Sequence, residues 1–262
     1  MSYTDEWTCD RIKYIAEMSR CMGDGYVIDD GVTLSILNKS VALIDVSDNV
    51  EGLQKRLFRK MERLYYIESR VKEFMDNSDT TIILNGGHNV KYMINTFNLN
   101  RITIANGDHY CPTRFDLRCF DMRNIRGMAG TFENCNRVQE ILFGTDKIDT
   151  LGQMDETFIW CTALEKIDLQ CIHTDKVTPI LRGVFASCYS LEEINMPNVT
   201  NVTISADCVD SIFKECGSLK VVNCPNKRIN KLFRKHVEHL KELEFNKEYY
   251  DSITGNYSWR LK

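Results

Sequence analysis

FDMRNIRGMAGTFENC, residues 120–135, is the stretch whose reading decides the fold. Continued through NRVQEILF (136–143), it places Phe132, Cys135, Val138, Ile141 and Phe143 at offsets 0, 3, 6, 9 and 11. The same offsets return at Phe158, Cys161, Leu164, Ile167 and Leu169, and at Phe185, Cys188, Leu191, Ile194 and Met196. They return once more at Phe213, Cys216, Leu219, Val222 and Cys224. Four Phe-x-x-Cys pairs in one phase, each with an apolar triplet behind it, define an internal repeat. Residues at one repeat position stack on their equivalents, so the Phe and Cys columns are expected to be core.

Outward from this stretch the pattern weakens. Asn89-Val90 with Met93 and Phe97 echoes Asn124-Ile125 with Met128 and Phe132, and Leu99, Ile102 and Ile104 match the triplet. Val237, Leu240, Leu243 and Phe245 hold the last four offsets again. The middle triplet residues then fall at 102, 141, 167, 194, 222 and 243. On this count an insertion sits at 107–118 and a trimmed terminal copy ends near 246. Residues 80–84 read as a strand of an earlier, capping turn. The aromatic tail 247–262, with Tyr249, Tyr250, Tyr257 and Trp259, is expected to cover the end of the stack.

Residues 1–78 show no repeat of this kind and read as a small N-terminal α/β domain. Residues 4–22 suit a helix capped by Thr4 and stopped by Gly23 and Gly25. Three β-branched runs, 26–28, 32–37 and 41–46, separated by turn residues, suit an antiparallel meander with one buried face. Asp48 and Glu51 resemble a capping box, and Leu53, Leu57, Met61, Leu64, Ile67, Val71 and Phe74 form an apolar stripe. That spacing predicts one long helix to about Met75, with 76–79 as the hinge into the repeats.

Composition narrows the class. The 262 residues are 43% hydrophobic and 27% charged with a formal charge of −4, ordinary for a globular chain. That charge argues against nucleic acid as the main partner. No apolar run approaches the ~18 residues of a membrane span. Residues 1–20 mix acids and bases and lack a signal peptide's apolar core, so a cytoplasmic setting is expected. Eleven cysteines with no Cys-x-x-Cys, four at one repeat position, read as reduced structural thiols. Intramolecular disulfides would instead point to secretion by a non-standard route.

At residues 120–143 the chain resembles the BspA-type leucine-rich repeats, in the variant written F-D-x-S-x-V-x-x-M-x-x-M-F-x-x-C-x-x-L-x-x-L-x-L. Phe120, Asp121, Ile125, Met128, Phe132, Cys135, Val138, Ile141 and Phe143 sit on that pattern. The resemblance covers about 80–246 and implies a solenoid with one short parallel strand per repeat. The expected fold class is therefore α/β, a leucine-rich-repeat-like solenoid behind a small α/β domain (1–78, 79–246 and a 247–262 cap). The family is best known from bacterial surface proteins and occurs in protozoa and mobile elements, and its usual activity is binding other proteins. A signal-less module of this sort would suit a phage- or parasite-encoded inhibitor of a host protein.

Offsets 9 and 11 point inward, so offsets 8 and 10 point outward. Offset 8 gives Arg101, Glu140, Lys166, Glu193, Val221 and Glu242; offset 10 gives Thr103, Leu142, Asp168, Asn195, Asn223 and Glu244. This mildly acidic ladder, with Leu142 and Val221 as apolar anchors, is the expected binding face for a protein partner with a partly basic surface. Enzymatic signals are thin: the chain has no phosphate-binding Gly loop, no Gly-x-Ser-x-Gly and no His-Glu-x-x-His. Gly86-Gly87-His88 reads as a turn. No catalytic residue, cofactor or metal is expected. The alternative is an enzyme or zinc-dependent protein with its site in 1–78 or 107–119, where His109, Cys111 and Cys119 could ligate zinc with a fourth partner. A basic helix near His236 and His239 reads as a polar face closing the stack.

Overall fold

The computed structural model describes residues 7–53, 57–98, 110–204 and 211–245. Helix α1 is Cys9–Met22. Its cap is Thr8, whose Oγ1 accepts from the Arg11 N–H, and not Thr4, which lies outside the described residues. Gly23, at φ 71°, closes it as expected. Strands β1 (Tyr26–Asp29), β2 (Val32–Ile36) and β3 (Val41–Val46) form the antiparallel meander. One buried face was expected, but β3 is buried along its whole length because both of its faces are covered. Ala42, Ile44 and Val46 join the main core. Val41 and Leu43 lie under α1, against Trp7, Ile12 and Ala16.

The long helix does not form. Residues 57–65 (Leu57–Tyr65) make α2 and 69–75 (Ser69–Met75) make α3, with Ile67 exposed at 73% in the turn between them. The reason lies upstream. Val50, Leu53 and Leu57 have the spacing of Val90, Met93 and Phe97 and of Ile125, Met128 and Phe132, and they behave as a repeat. Lys91 N–H donates to Glu51 O at 2.7 Å, Leu53 N–H to Tyr92 O at 2.9 Å and Leu57 N–H to Thr96 O at 2.9 Å. An apolar spacing of three and four serves a helix and a repeat turn equally well. Hydrogen bonding to the next repeat selects the turn.

The chain then adds parallel strands β4 (Thr81–Gly86), β5 (Arg114–Phe120), β6 (Glu140–Phe143), β7 (Lys166–Asp168), β8 (Glu193–Asn195) and β9 (Val221–Asn223). Strands β1–β6 form one sheet and β7–β9 a second, with β6 and β7 side by side. In register, Ala42 pairs Ile82, Ile82 pairs Phe115 and Phe115 pairs Ile141. Phe115 therefore holds the ladder position expected of Ile102, and 114–118 is strand rather than insertion. Residues 99–109, with Arg101, Ile102 and Thr103, lie outside the described residues. The expected boundary at residue 78 falls between β3 and β4, which are neighbours in one sheet.

The interior follows the repeat columns. Rings of Phe132, Phe158 and Phe185 stack at 5.7 Å with planes 3–4° apart, and Phe185 stacks on Phe213 at 6.4 Å. Each Cys thiol donates to the carbonyl of the Phe one repeat earlier: Cys135 to Phe97, Cys161 to Phe132, Cys188 to Phe158 and Cys216 to Phe185, at 2.9–3.4 Å. Cysteine is small enough for the column and still satisfies a buried carbonyl. Burial pushes these four thiols well above their ordinary pKa. The residue before each Cys (Asn134, Trp160, Ser187 and Glu215) is left-handed, at φ 60–62°.

The expected terminal copy at 237–245 is instead the end of helix α4 (Lys227–Phe245). Ile229 and Leu240 are buried on its inner side, and Leu232 and Phe233 pack against the core. Phe233 meets Phe213 edge-on at 6.2 Å, and the His236 ring nitrogen sits 2.9 Å from Cys216 O. The helix closes the aromatic column that another repeat would have continued. The tail 247–262 lies outside the described residues.

Candidate functional site

Each inward ladder residue is flanked by two side chains on the other side of the sheet. From β5 to β9 the flanking pairs are Arg114 and Asp116, Glu140 and Leu142, Lys166 and Asp168, Glu193 and Asn195, and Val221 and Asn223. Eight of the twelve ladder residues expected from the sequence stand in these two columns, and Arg101 and Thr103 lie outside the described residues. The other two, Glu242 and Glu244, lie on α4 and outside the strands. Arg114, with Asp116, is the addition. Its signal was present, because Arg114-Phe115-Asp116 precedes Glu140-Ile141-Leu142 by the same 26 residues that separate the latter from Lys166-Ile167-Asp168.

The columns bond along their length. Arg114 pairs with Glu140, and Lys166 with Glu193 at 3.0 Å, so one column alternates in sign and neutralises itself in pairs. The other is a hydrogen-bonded polar ladder: Asn195 Nδ2 donates to Asp168 Oδ1 at 2.9 Å, and Asn223 Nδ2 to Asn195 Oδ1 at 2.7 Å. Just outside, Lys220 meets Glu192 at 2.6 Å and holds that carboxyl below its usual range. Glu193 likewise raises the Lys166 ammonium. These groups are solvated, so the pairs set side-chain positions more than stability. Val221 is 48% exposed and Leu142 half-buried.

Arg114, Gln139, Glu140, Leu142, Glu165, Lys166, Asp168, Glu193 and Asn195 border an open depression of about 620 Å³. Glu165 and Asp168 enter no ion pair among those formed by the described residues, which leaves the hollow mildly acidic. Toward the N-terminus the same two columns run on through Val41 and Leu43 of β3 and Ile83 of β4. There α1 covers them. The outward face is thus closed over β3 and β4 and open over β6–β9.

The zinc candidates do not assemble. Cys119 is joined to Cys9 in a disulfide, with the Cα atoms 5.2 Å apart, which removes it as a ligand and corrects the expectation that every cysteine is reduced. Cys111 is buried, with its sulfur accepting from the Arg137 N–H. His109 lies outside the described residues. Among the described residues no three His, Cys, Asp or Glu side chains gather as a metal set. The buried repeat thiols are protonated at neutral pH and so are poor nucleophiles. Among the described residues no helix is long and apolar enough to cross a membrane.

A ladder of short parallel strands, one per repeat, over stacked core residues is a repeat architecture that leucine-rich repeats share with other stacked-repeat folds. Residues 123–235 match the family model for the BspA type leucine rich repeat region, in six copies. The ladder itself begins earlier, at β3, in the same register. No curated protein and no solved structure matches the chain.

Proposed function

We propose that this protein is a non-catalytic recognition module, a repeat solenoid that binds another protein through the outward face of β6–β9. The carrying observation is the open pair of side-chain columns, Glu140, Leu142, Lys166, Asp168, Glu193, Asn195, Val221 and Asn223, in register on one side of the strands. Leucine-rich repeats commonly bind proteins in this way, because a ladder presents many side chains to one partner. Asp168 and Glu165 favour a partner with a few basic groups, while the internal ion pairs keep the attraction modest. Leu142 and Val221 supply the apolar contact.

An intracellular partner, and within that the inhibition of a host protein, extends this reading. The Cys9–Cys119 bridge counts against that setting, and disulfide mapping of protein taken from its native source tests it: the bridge found there argues for an oxidising compartment, its absence for the inside of the cell. The face is tested by reversing three charges together, E140K, D168K and E193K, and comparing affinity capture from the native cell with that of the unaltered chain. The reading expects partner capture to fall at least tenfold with the melting temperature unchanged. Equal capture by both proteins would remove this face from consideration.

A further inference from the structure

The cover over the N-terminal part of the outward face is held in an unusual way. Helix α1 has 14 residues and buries only Ile12 and Ala16, with Trp7 just before it. A short helix with so little apolar contact is marginal by itself. Further ties hold it among the described residues: Arg118 of β5 donates to Trp7 O at 3.5 Å just before the helix, and one tie acts at each end of the helix itself. In the last turn, Arg20 reaches Asp45 of β3 with two hydrogen bonds, at 2.6 and 2.9 Å. At the first residue, Cys9 is bonded to Cys119 of β5.

That disulfide differs from the thiols of the repeat columns. Cys9 and Cys119 are both half-buried and within reach of solvent, whereas the free cysteines are buried, except Cys21. It closes a loop of 110 residues and ties α1 to the strand beside the open depression. Val41, Leu43 and Ile83, beneath α1, continue the columns that become Glu140 and Leu142 two or three strands further on.

We propose that α1 is a thiol-latched cover on the recognition face, and that reduction of Cys9–Cys119 by a small dithiol releases the helix and lengthens the open face toward β3. The inference rests on the outward face being the recognition surface. In the chemical step a thiolate of the dithiol attacks one sulfur of the bridge and forms a mixed disulfide. Its second thiolate then displaces the protein sulfur. Two electrons pass to the protein, Cys9 and Cys119 become thiols, and the dithiol leaves as its cyclic disulfide. The Arg20–Asp45 pair and the connection through Gly23–Gly25 keep the released helix near its seat, so the change is local and reversible.

The test is tryptic cleavage of the full chain, with and without dithiothreitol, after a non-reducing peptide map has shown the Cys9–Cys119 link. Cleavage after Arg11 and Lys13 is expected to accelerate about tenfold or more on reduction, while cleavage after Arg182 and Lys214 in the repeats is unchanged. C9S and C119S, without reductant, should each match the reduced protein. Equal protection of α1 in the oxidised and reduced protein would overturn the latch. So would a map without the link, or repeats that open together with α1. None of these readouts depends on a partner, so the latch and the recognition face fail separately.

Discussion

At the scale of single residues, one column carries most of the information. The Phe-x-x-Cys pairs were legible as core because identical residues recurred in one phase. That each thiol would donate to the Phe carbonyl of the preceding repeat was not, since that bond joins residues about 30 apart in sequence. Burial raises these thiols above the unfolded value of about 8.5, so the folded state favours the neutral form. Their contribution to stability is complete below that value and is lost as pH rises above it, when only the unfolded chain ionises. Urea denaturation at pH 7, 9 and 10 should therefore show a midpoint that falls steadily above pH 8.5. A second prediction concerns Glu156, left-handed at φ 55° where the neighbouring repeats have Gly130 and Gly183. E156G should stabilise the protein by about 1 kcal/mol, because glycine carries no penalty there and the lost pair with Arg182 is exposed at 3.6 Å. Chemical denaturation measures it.

At the scale of elements, two stretches show why periodicity alone misassigns. Residues 48–75 and 237–245 both carry apolar residues at spacings of two to four, which a helix and a repeat turn share. The first became a repeat turn and two short helices, because Glu51, Leu53 and Leu57 find backbone partners on the next repeat. The second became helix α4, which closes the aromatic column with Phe233 and caps Cys216 O with His236. Burial lowers the His236 pKa below its ordinary value. Its contribution is therefore present above about pH 6.5 and lost as pH falls through the lowered value. H236A should cost about 1–2 kcal/mol at pH 7.5. It should also flatten the dependence of the melting temperature on pH between 5 and 7.

At the scale of the whole molecule, the sheet and its main core run from β1 to β6 without a break at residue 78. A fragment starting at residue 79 would expose the β4 edge, together with Ile82 and Leu84, to water. It should aggregate or fail to show cooperative melting by circular dichroism; a fragment as stable as the full chain would instead establish residues 1–78 as an independent domain. By itself the sequence determined the repeat, its inward columns and the outward residues of β6–β9, because these depend on a period of about 27 and on the alternation of a strand. Only the tertiary structure decided where the ladder begins, which strand holds Phe115, that α1 lies across the outward face, and that Cys9 meets Cys119. Those features join segments far apart in the chain, where no local period links the partners and only packing and hydrogen bonding choose among registers the sequence leaves equal.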